Sequence, residues 1–310
     1  MICDRFCQRT VFHSPWAEPL ASVEVMDPNT LPHYCTRRHT PRRMEDFQFD
    51  LRTVAWHKTS SHHALALLAA PRPKTCLSST LASLKNAGID AWPGLKMIYA
   101  DGTADFLPPE WMHVRQPVAQ GSASAFLKVL RHARAEDPSL EHLTFLEDDI
   151  DLCQNALDYM ALVSVPNDVA FLSWFTYDYD FSCSGQVQFH HPNLQPLPWL
   201  AVRSARFFIL TQACTFPRRT IDRLLACPHI TGDWPKQDSH DEMIGWALGD
   251  ALYAVHFPIL VQHTGGLNSA VLQTRGTPII ASDDPQASER SSPFFVGTRF
   301  DARSLLPQHP

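Results

Sequence analysis

Three consecutive carboxylates, Glu147-Asp148-Asp149, directly follow an apolar run at residues 142–146. Mutual repulsion, and burial of whichever carboxylate faces inward, raise the free energy of such a stretch unless a cation neutralises it. Carboxylate oxygens suit Mg²⁺ or Mn²⁺, which proteins often hold with one or two carboxylates plus the phosphates of a substrate. The alternative is a solvated turn in which Asp149 or Asp151 caps a following helix. The triplet alone favours neither interpretation.

The elements around the triplet alternate between strand and helix patterns. Continuous apolar runs at residues 63–70, 96–100 and 142–146 are typical of buried parallel strands. Amphipathic segments at 76–87 and 122–135 stand between these runs and predict helices. This alternation predicts the α/β class, with a doubly wound, mostly parallel central sheet flanked by helices.

Polar residues stand where each predicted strand ends. Pro71-Arg72 follows the first strand, Asp101-Gly102 follows the second, and the acidic triplet follows the third. Because ligands of doubly wound sheets bind beyond the carboxyl ends of the strands, these three groups are expected to converge on one site.

The remainder of the chain continues the α/β pattern less regularly. Residues 176–198 predict a loop, and residues 1–60, rich in proline and polar residues, predict an irregular N-terminal extension. We therefore expect a main α/β domain over residues 61–275, which the resemblance described below makes the catalytic domain, and a C-terminal tail over 276–310 that packs on it. The other predicted elements are helices at 152–163, 218–226 and 239–252, strands at 169–175 and 205–211, and a segment at 253–261 that leads into Gln262-His263.

Composition excludes several classes of function. The net charge of the 310 residues is −6, without a dense run of Lys or Arg, so nucleic acid is not expected as a partner. The sequence lacks the ~20 consecutive apolar residues that a membrane span needs. The eight cysteines include no pair at C-x-x-C spacing, which indicates no disulfide framework and favours a cytoplasmic location.

The stretch from Phe145 to Ile150, FLEDDI, resembles the metal-binding acidic motif of nucleotide-sugar glycosyltransferases with the GT-A fold. It is similar to the motifs of N-acetylglucosaminyltransferases that branch N-glycans and of galactosyltransferases that modify lipopolysaccharide. The resemblance covers residues 63–270 at the level of motifs. It implies a GT-A-like domain that uses Mn²⁺ or Mg²⁺ to move a sugar from a nucleoside-diphosphate donor to a saccharide or glycoconjugate acceptor. A UDP-linked donor and inversion of configuration are favoured.

The resemblance also implies roles for single residues. It makes Asp149 and His263 the metal ligands, directs Glu147 to ribose or to a metal-bound water, and leaves Asp148 beside the nucleotide sugar without a firm role. Asp241-Glu242 would face the acceptor and supply the base. The remaining residues implied to contact the nucleotide sugar are Pro71, Arg72, Asp101, Gly102, Gly121 and Ser122.

Each of these residues also has a structural interpretation. Asp241 and Glu242 could cap a helix, Asp101 could belong to a turn before Gly102, and Arg72 could be an ordinary surface residue. Trp174, Tyr177 and Tyr179 could stack on an acceptor sugar or belong to the core. Two other functions stay open. One is a metal-dependent phosphohydrolase or nuclease that uses the same acidic rim, meaning the edge formed by the carboxyl ends of the predicted parallel strands. The other is a non-catalytic nucleotide-sugar-binding module.

Overall fold

The apolar runs of the sequence form the centre of a nine-stranded sheet. The computed structural model describes residues 48–50, 60–71, 75–102, 107–176, 199–205, 208, 211–227, 239–264, 292 and 295–306. The strands are β1 (Gln48–Asp50), β2 (His63–Ala69), β3 (Lys96–Asp101), β4 (Met112–Gln116), β5 (His142–Glu147), β6 (Ile150–Leu152), β7 (Leu172–Ser173), β8 (Trp199–Ser204), β9 (Ala213–Pro217), β10 (Leu252–Phe257) and β11 (Val261–His263). The α-helices are α1 (Leu77–Asn86), α2 (Ser122–Glu136), α3 (Ala156–Met160), α4 (Arg218–Ala226) and α5 (His240–Leu248), with 3-10 turns at Ile89–Ala91 and Ala302–Leu305.

The strand order across the large sheet is β1-β8-β10-β7-β9-β5-β2-β3-β4. Strands β8 and β9 run opposite to the other seven. The predicted α/β class, with a mostly parallel central sheet flanked by helices, is confirmed. Strands β6 and β11 form a separate antiparallel pair.

The direction in which strands are added to the sheet reverses at β2. From β2 the chain passes through α1 to β3 on one side, and β4 extends that side. It then passes through α2 to β5, which pairs with the other edge of β2. A reversal of this kind opens a crevice at the carboxyl ends of the two strands, where α/β proteins usually bind ligands. The acidic triplet therefore lies at the position that topology favours for a ligand.

Helix α2 packs on the sheet and reaches β5 with one aromatic side chain. Its inner face carries Ala123, Phe126, Leu130 and Ala133 at helical spacing, each at most 1% exposed. The ring of Phe126 meets that of Phe145 of β5 edge to face, with centroids 5.0 Å apart. Because both side chains are fully buried, this contact anchors the part of β5 that directly precedes the triplet.

The sequence interpretation was wrong about the segment after the triplet. The helix predicted over residues 152–163 is replaced by β6 and the short helix α3. Residues 150–152 pair with the distant strand β11, and Asn155 adopts a left-handed backbone with φ 55° that interrupts a helix. The segment after the triplet therefore stays at the carboxyl ends of the strands, as β6, and does not form a helix that leads away from them.

Other predicted boundaries also differ. The helix predicted over 239–252 ends at Leu248, followed by Gly249 at φ 57°. The strand predicted over 169–175 is reduced to β7, and β1 lies inside the extension predicted to be irregular. Much of the strand predicted over 205–211 and of the loop predicted over 176–198 lies outside the described residues, and the predicted domain boundaries stay predictions. Within the described part of the chain, no helix is long and apolar enough to cross a membrane.

Candidate functional site

The pairing of β6 with β11 brings Asp149 and His263 together. His263 lies opposite Ile150 in this pair, and the backbone N–H of Thr264 donates to the carbonyl oxygen of Asp149 at 2.7 Å. The Nε2 atom of His263 lies 3.0 Å from Oδ2 of Asp149, and the two side chains are 3% and 2% exposed. A buried carboxylate and a buried imidazole are therefore in direct contact at the end of β5.

The spacing of these two atoms fits a divalent metal site. Two ligands about 2.1 Å from an octahedral cation at neighbouring positions lie about 3.0 Å from each other. The same separation is an ordinary hydrogen bond without the ion. Within the described residues, no group of three or more His, Cys, Asp and Glu side chains could hold a metal. Asp149 and His263 could thus supply two ligands, and phosphate oxygens and water would complete the shell, as Mg²⁺ commonly requires.

Asp148, in contrast, faces the interior and ties the rim together. Its Oδ2 accepts a hydrogen bond at 3.2 Å from the backbone N–H of Ala70, the residue after β2. The hydroxyl of Thr80 in α1 lies within hydrogen-bond distance of the carbonyl oxygens of both Asp148 and Ile150. Asp148 is 1% exposed, so this geometry favours a structural role that joins the ends of β2 and β5.

Glu147 occupies a small polar cluster with Thr211 and His240. The Thr211 hydroxyl donates to Oε1 of Glu147 at 2.8 Å, and Nε2 of His240 lies 3.1 Å from the same oxygen. Thr211 and His240 are also hydrogen-bonded to each other. Burial by itself would raise the pKa of Glu147, but the hydrogen bond and charge of His240 bring that pKa below its usual range. Glu147 is therefore held as a carboxylate with one oxygen engaged.

Asp241 and Glu242 lie in the first turn of α5, beside this cluster, in different environments. Glu242 is exposed, whereas Asp241 is partly covered by protein. Burial raises the pKa of Asp241 to about 7, and the nearby charge of Glu242 adds to the effect, while His240 acts in the opposite direction. A carboxyl group that titrates near neutrality suits a general base, since it accepts a proton efficiently yet is substantially ionised at neutral pH. Burial and its effect on the pKa thus favour Asp241 over Glu242 for that role.

The Asp101 carboxylate is engaged by the protein backbone. Its oxygens accept from the N–H of Gln120 at 2.9 and 3.0 Å and from that of Gly121 at 3.2 Å, just before α2. Gly102 has φ 77°, and a Cβ there would lie 2.6 Å from the backbone nitrogen of Ala119. These contacts place Asp101 and Gly102 beside the residues that lead into α2, and they favour a structural role for Asp101 in that loop.

We therefore expect Asp101→Ala to lower the free energy of unfolding by about 1–3 kcal/mol, because it leaves the N–H groups of Gln120 and Gly121, just before α2, without their acceptor. Chemical denaturation measures this loss. If Asp101 only positions α2, the donor KM should change less than about threefold, since a side chain without direct ligand contact affects binding only through small shifts of the helix. A large rise in donor KM with unchanged stability would instead support the ribose or base contact that the family resemblance implies.

The other predicted contacts fall at the edge of the described region or outside it. Pro71 is exposed at the end of β2, while Arg72, Tyr177 and Tyr179 lie outside the described residues. Trp174 is fully buried and donates from its indole nitrogen to Thr215 at 2.8 Å. It is a core residue, and acceptor stacking by Trp174 is ruled out in this conformation.

Sequence reasoning missed two members of the rim, His240 and Thr211. His240 directly precedes Asp241 at the predicted helix start, so its position beside a suspected base was a usable signal. Thr211 gave no comparable signal, because single threonines occur throughout the chain. It was predicted only as the end of a strand.

Neither a protein-family profile nor a curated protein sequence matches the chain. Solved structures that resemble part of it include the mannosyltransferase PcManGT from Pyrobaculum calidifontis in complex with GDP-Man and Mn²⁺, with a TM-score of 0.40 and 12% identity over 66% of this chain and 61% of that one. GalNAc-T7 with UDP, GalNAc and Mn²⁺ also has a TM-score of 0.40, with 10% identity over 63% of this chain and 43% of that one. The chain thus spans less than two thirds of the length of each, and the likeness is one of partial fold.

Proposed function

We propose that the protein is a metal-dependent glycosyltransferase that moves a sugar from a nucleoside-diphosphate donor, UDP-linked by preference, to a saccharide or glycoconjugate acceptor. The observation that carries this proposal is the buried Asp149–His263 pair, with its 3.0 Å separation, at the point where the strand order of the sheet reverses. Topology, ligand chemistry and the resemblance of the acidic motif independently support a nucleotide-diphosphate site there.

Different residues of the chain have different roles in the proposed transfer. Asp149 and His263 would hold Mn²⁺ or Mg²⁺, and the bound ion would supply positive charge that stabilises the leaving diphosphate. Glu147 offers a fixed carboxylate to the hydroxyls of the donor or to water. In the inverting reaction that we favour, Asp241 accepts the proton of the attacking acceptor hydroxyl.

The alternative of a phosphohydrolase or nuclease is less well supported. Such enzymes commonly place two metals between several carboxylates. Among the described residues of this rim, Asp148 is bonded to the backbone of Ala70 and Glu147 is bonded to Thr211 and His240. Asp149 is therefore the carboxylate of the triplet best placed for a metal, which suits a substrate that brings its own phosphates.

A thermal-shift measurement with UDP and Mn²⁺ tests the proposal. We expect the melting temperature to rise by several degrees when both are present at about 100 times their dissociation constant, since that concentration adds roughly 2.7 kcal/mol of stability. Either component alone should produce a smaller shift, because the metal and the diphosphate complete each other's coordination.

The other two functions predict different outcomes, one in the same thermal-shift screen and one in an assay of phosphoester cleavage. A shift with free sugar, without nucleotide or metal, would support a sugar-binding module. Cleavage of phosphoesters without sugar transfer would support the hydrolase. Either result, in the absence of a joint effect of UDP and Mn²⁺, would overturn the proposed transferase.

A further inference from the structure

His240 has a restricted environment at the first residue of α5. Its ring stacks on that of Phe126, with centroids 5.5 Å apart and 16° between the planes, and meets Phe145 edge to face at 5.5 Å. The residue is 5% exposed. Two buried phenyl rings therefore fix the plane of the imidazole and direct its Nε2 atom toward the rim.

The hydrogen bonds of the cluster determine which nitrogen of His240 carries the proton. Thr211 has one hydroxyl proton, which it donates to Oε1 of Glu147. The Thr211 oxygen must then accept from Nε2 of His240, so Nε2 bears a hydrogen in either protonation state of the ring. The buried Nδ1 atom has no hydrogen-bond partner among the described residues. Within that part of the chain, the polar contacts of the imidazole are thus confined to Thr211 and Glu147.

The same contacts distinguish the two oxygens of Glu147. Oε1 accepts the hydroxyl of Thr211 and lies 3.1 Å from Nε2 of His240, whereas Oε2 has no hydrogen bond to a described residue. The side chain keeps 16% of its surface exposed. One oxygen is therefore anchored to the protein, and the other keeps its accepting capacity within the described part of the chain.

We infer that His240 is a positioning residue that acts through Glu147. With Thr211 it anchors one oxygen of the carboxylate, so that the other oxygen accepts a hydrogen bond from a hydroxyl of the nucleotide portion of the donor. Because the Glu147 side chain is already ordered, it loses little conformational entropy when the donor binds. This role rests on the proposed function, and it concerns a residue to which neither the acidic motif nor its family resemblance assigns a part. A fixed acceptor of this kind also favours ligands that carry the hydroxyl over those that lack it.

The test is a double-mutant cycle on the binding of UDP in the presence of Mn²⁺, measured by calorimetry on the full chain. We expect His240→Ala and Glu147→Ala each to raise the dissociation constant about tenfold, because a hydrogen bond to a charged group is lost or disordered. If His240 acts through Glu147, the double variant should bind no more weakly than Glu147→Ala alone. His240→Gln, whose amide N–H replaces the Nε2 donor, should bind within about threefold of the wild type.

His63→Ala is the matched control. His63 is 3% exposed and hydrogen-bonded through Nε2 to the hydroxyl of Thr144 at 2.9 Å, but it lies at the opposite, amino end of β2. Its loss should lower the melting temperature without weakening UDP binding, whereas a purely structural role for His240 would make the two variants behave alike. Unchanged binding by His240→Ala, or effects of His240 and Glu147 that multiply in the double variant, would overturn the inference while leaving the function intact. Failure of the wild type to bind UDP with Mn²⁺ would overturn both.

Discussion

Asp149→Ala is expected to lower kcat/KM for sugar transfer by at least about 10³-fold. A bound cation contributes several kcal/mol to stabilisation of the leaving diphosphate, and about 4 kcal/mol corresponds to a thousandfold in rate. Asp149 is 2% exposed and lies 3.0 Å from His263, so no other side chain described at the end of β5 is placed to replace its oxygen beside that imidazole. The measurement is the rate of transfer as a function of Mn²⁺ concentration for the variant and the wild type.

Asp151→Asn serves as the control for this substitution. Asp151 lies two residues further along, in β6, where it is partly exposed, hydrogen-bonded to Ser83 and opposite Gln262. It carries the same charge in the same segment but takes no part in the proposed metal site, so its loss should change the rate by less than about threefold, as expected for a group with no contact to the reacting atoms. Full activity of Asp149→Ala, or of the wild type in excess chelator, would contradict the role of the metal.

The central strands and helices were predictable because their buried residues form recognisable apolar patterns within a short stretch of sequence. Strand β2 is buried along its whole length, and its continuous apolar sequence reflects that. Strand β4, MHVRQ, is the edge strand of the sheet and buries only one of its side chains, so its sequence gives no clear strand signal. Strand β6 was mistaken for part of a helix because its partner, β11, lies about a hundred residues away, and no local pattern encodes that pairing.

The same distinction explains which parts of the site were predicted. The pairing of Asp149 with His263 was implied by the family resemblance, whereas the antiparallel contact of β6 with β11 that brings the two residues together has no local signal in the sequence. The Glu147–Thr211–His240 cluster depends instead on the rotation of α5 about its axis and on the packing of two phenyl rings, neither of which a single sequence specifies. Asp101 lies where prediction put it, at the end of β3, but its oxygens bond to the backbone before α2. Position at a strand end thus identified the rim but did not separate ligand-binding carboxylates from structural ones.

Asp241→Asn should lower kcat by about 10²–10⁴-fold, the usual contribution of a general base. The amide keeps the size of the side chain and its backbone contact at the start of α5 but cannot take a proton. In the wild type, burial raises the pKa of Asp241 to about 7, so the rate should climb with pH up to about 7 as the carboxylate forms and then level off. The measurement is the pH dependence of kcat in both proteins, and the rise should be absent from the variant.

Glu242→Gln separates catalysis from helix electrostatics, because Glu242 is exposed in the same first turn of α5 and offers the same charge to the helix dipole. It should keep nearly full activity.

The pH dependence of stability gives a second readout with a defined sign. The unfolded chain releases the Asp241 proton near the ordinary value of 3.8, whereas the folded protein retains it to about 7. Wild-type stability should therefore fall between about pH 4 and pH 7 relative to that of Asp241→Asn, and the gap should stay constant above pH 7. A rate that rises through neutrality without this change in stability would show that the titrating base is a group other than Asp241.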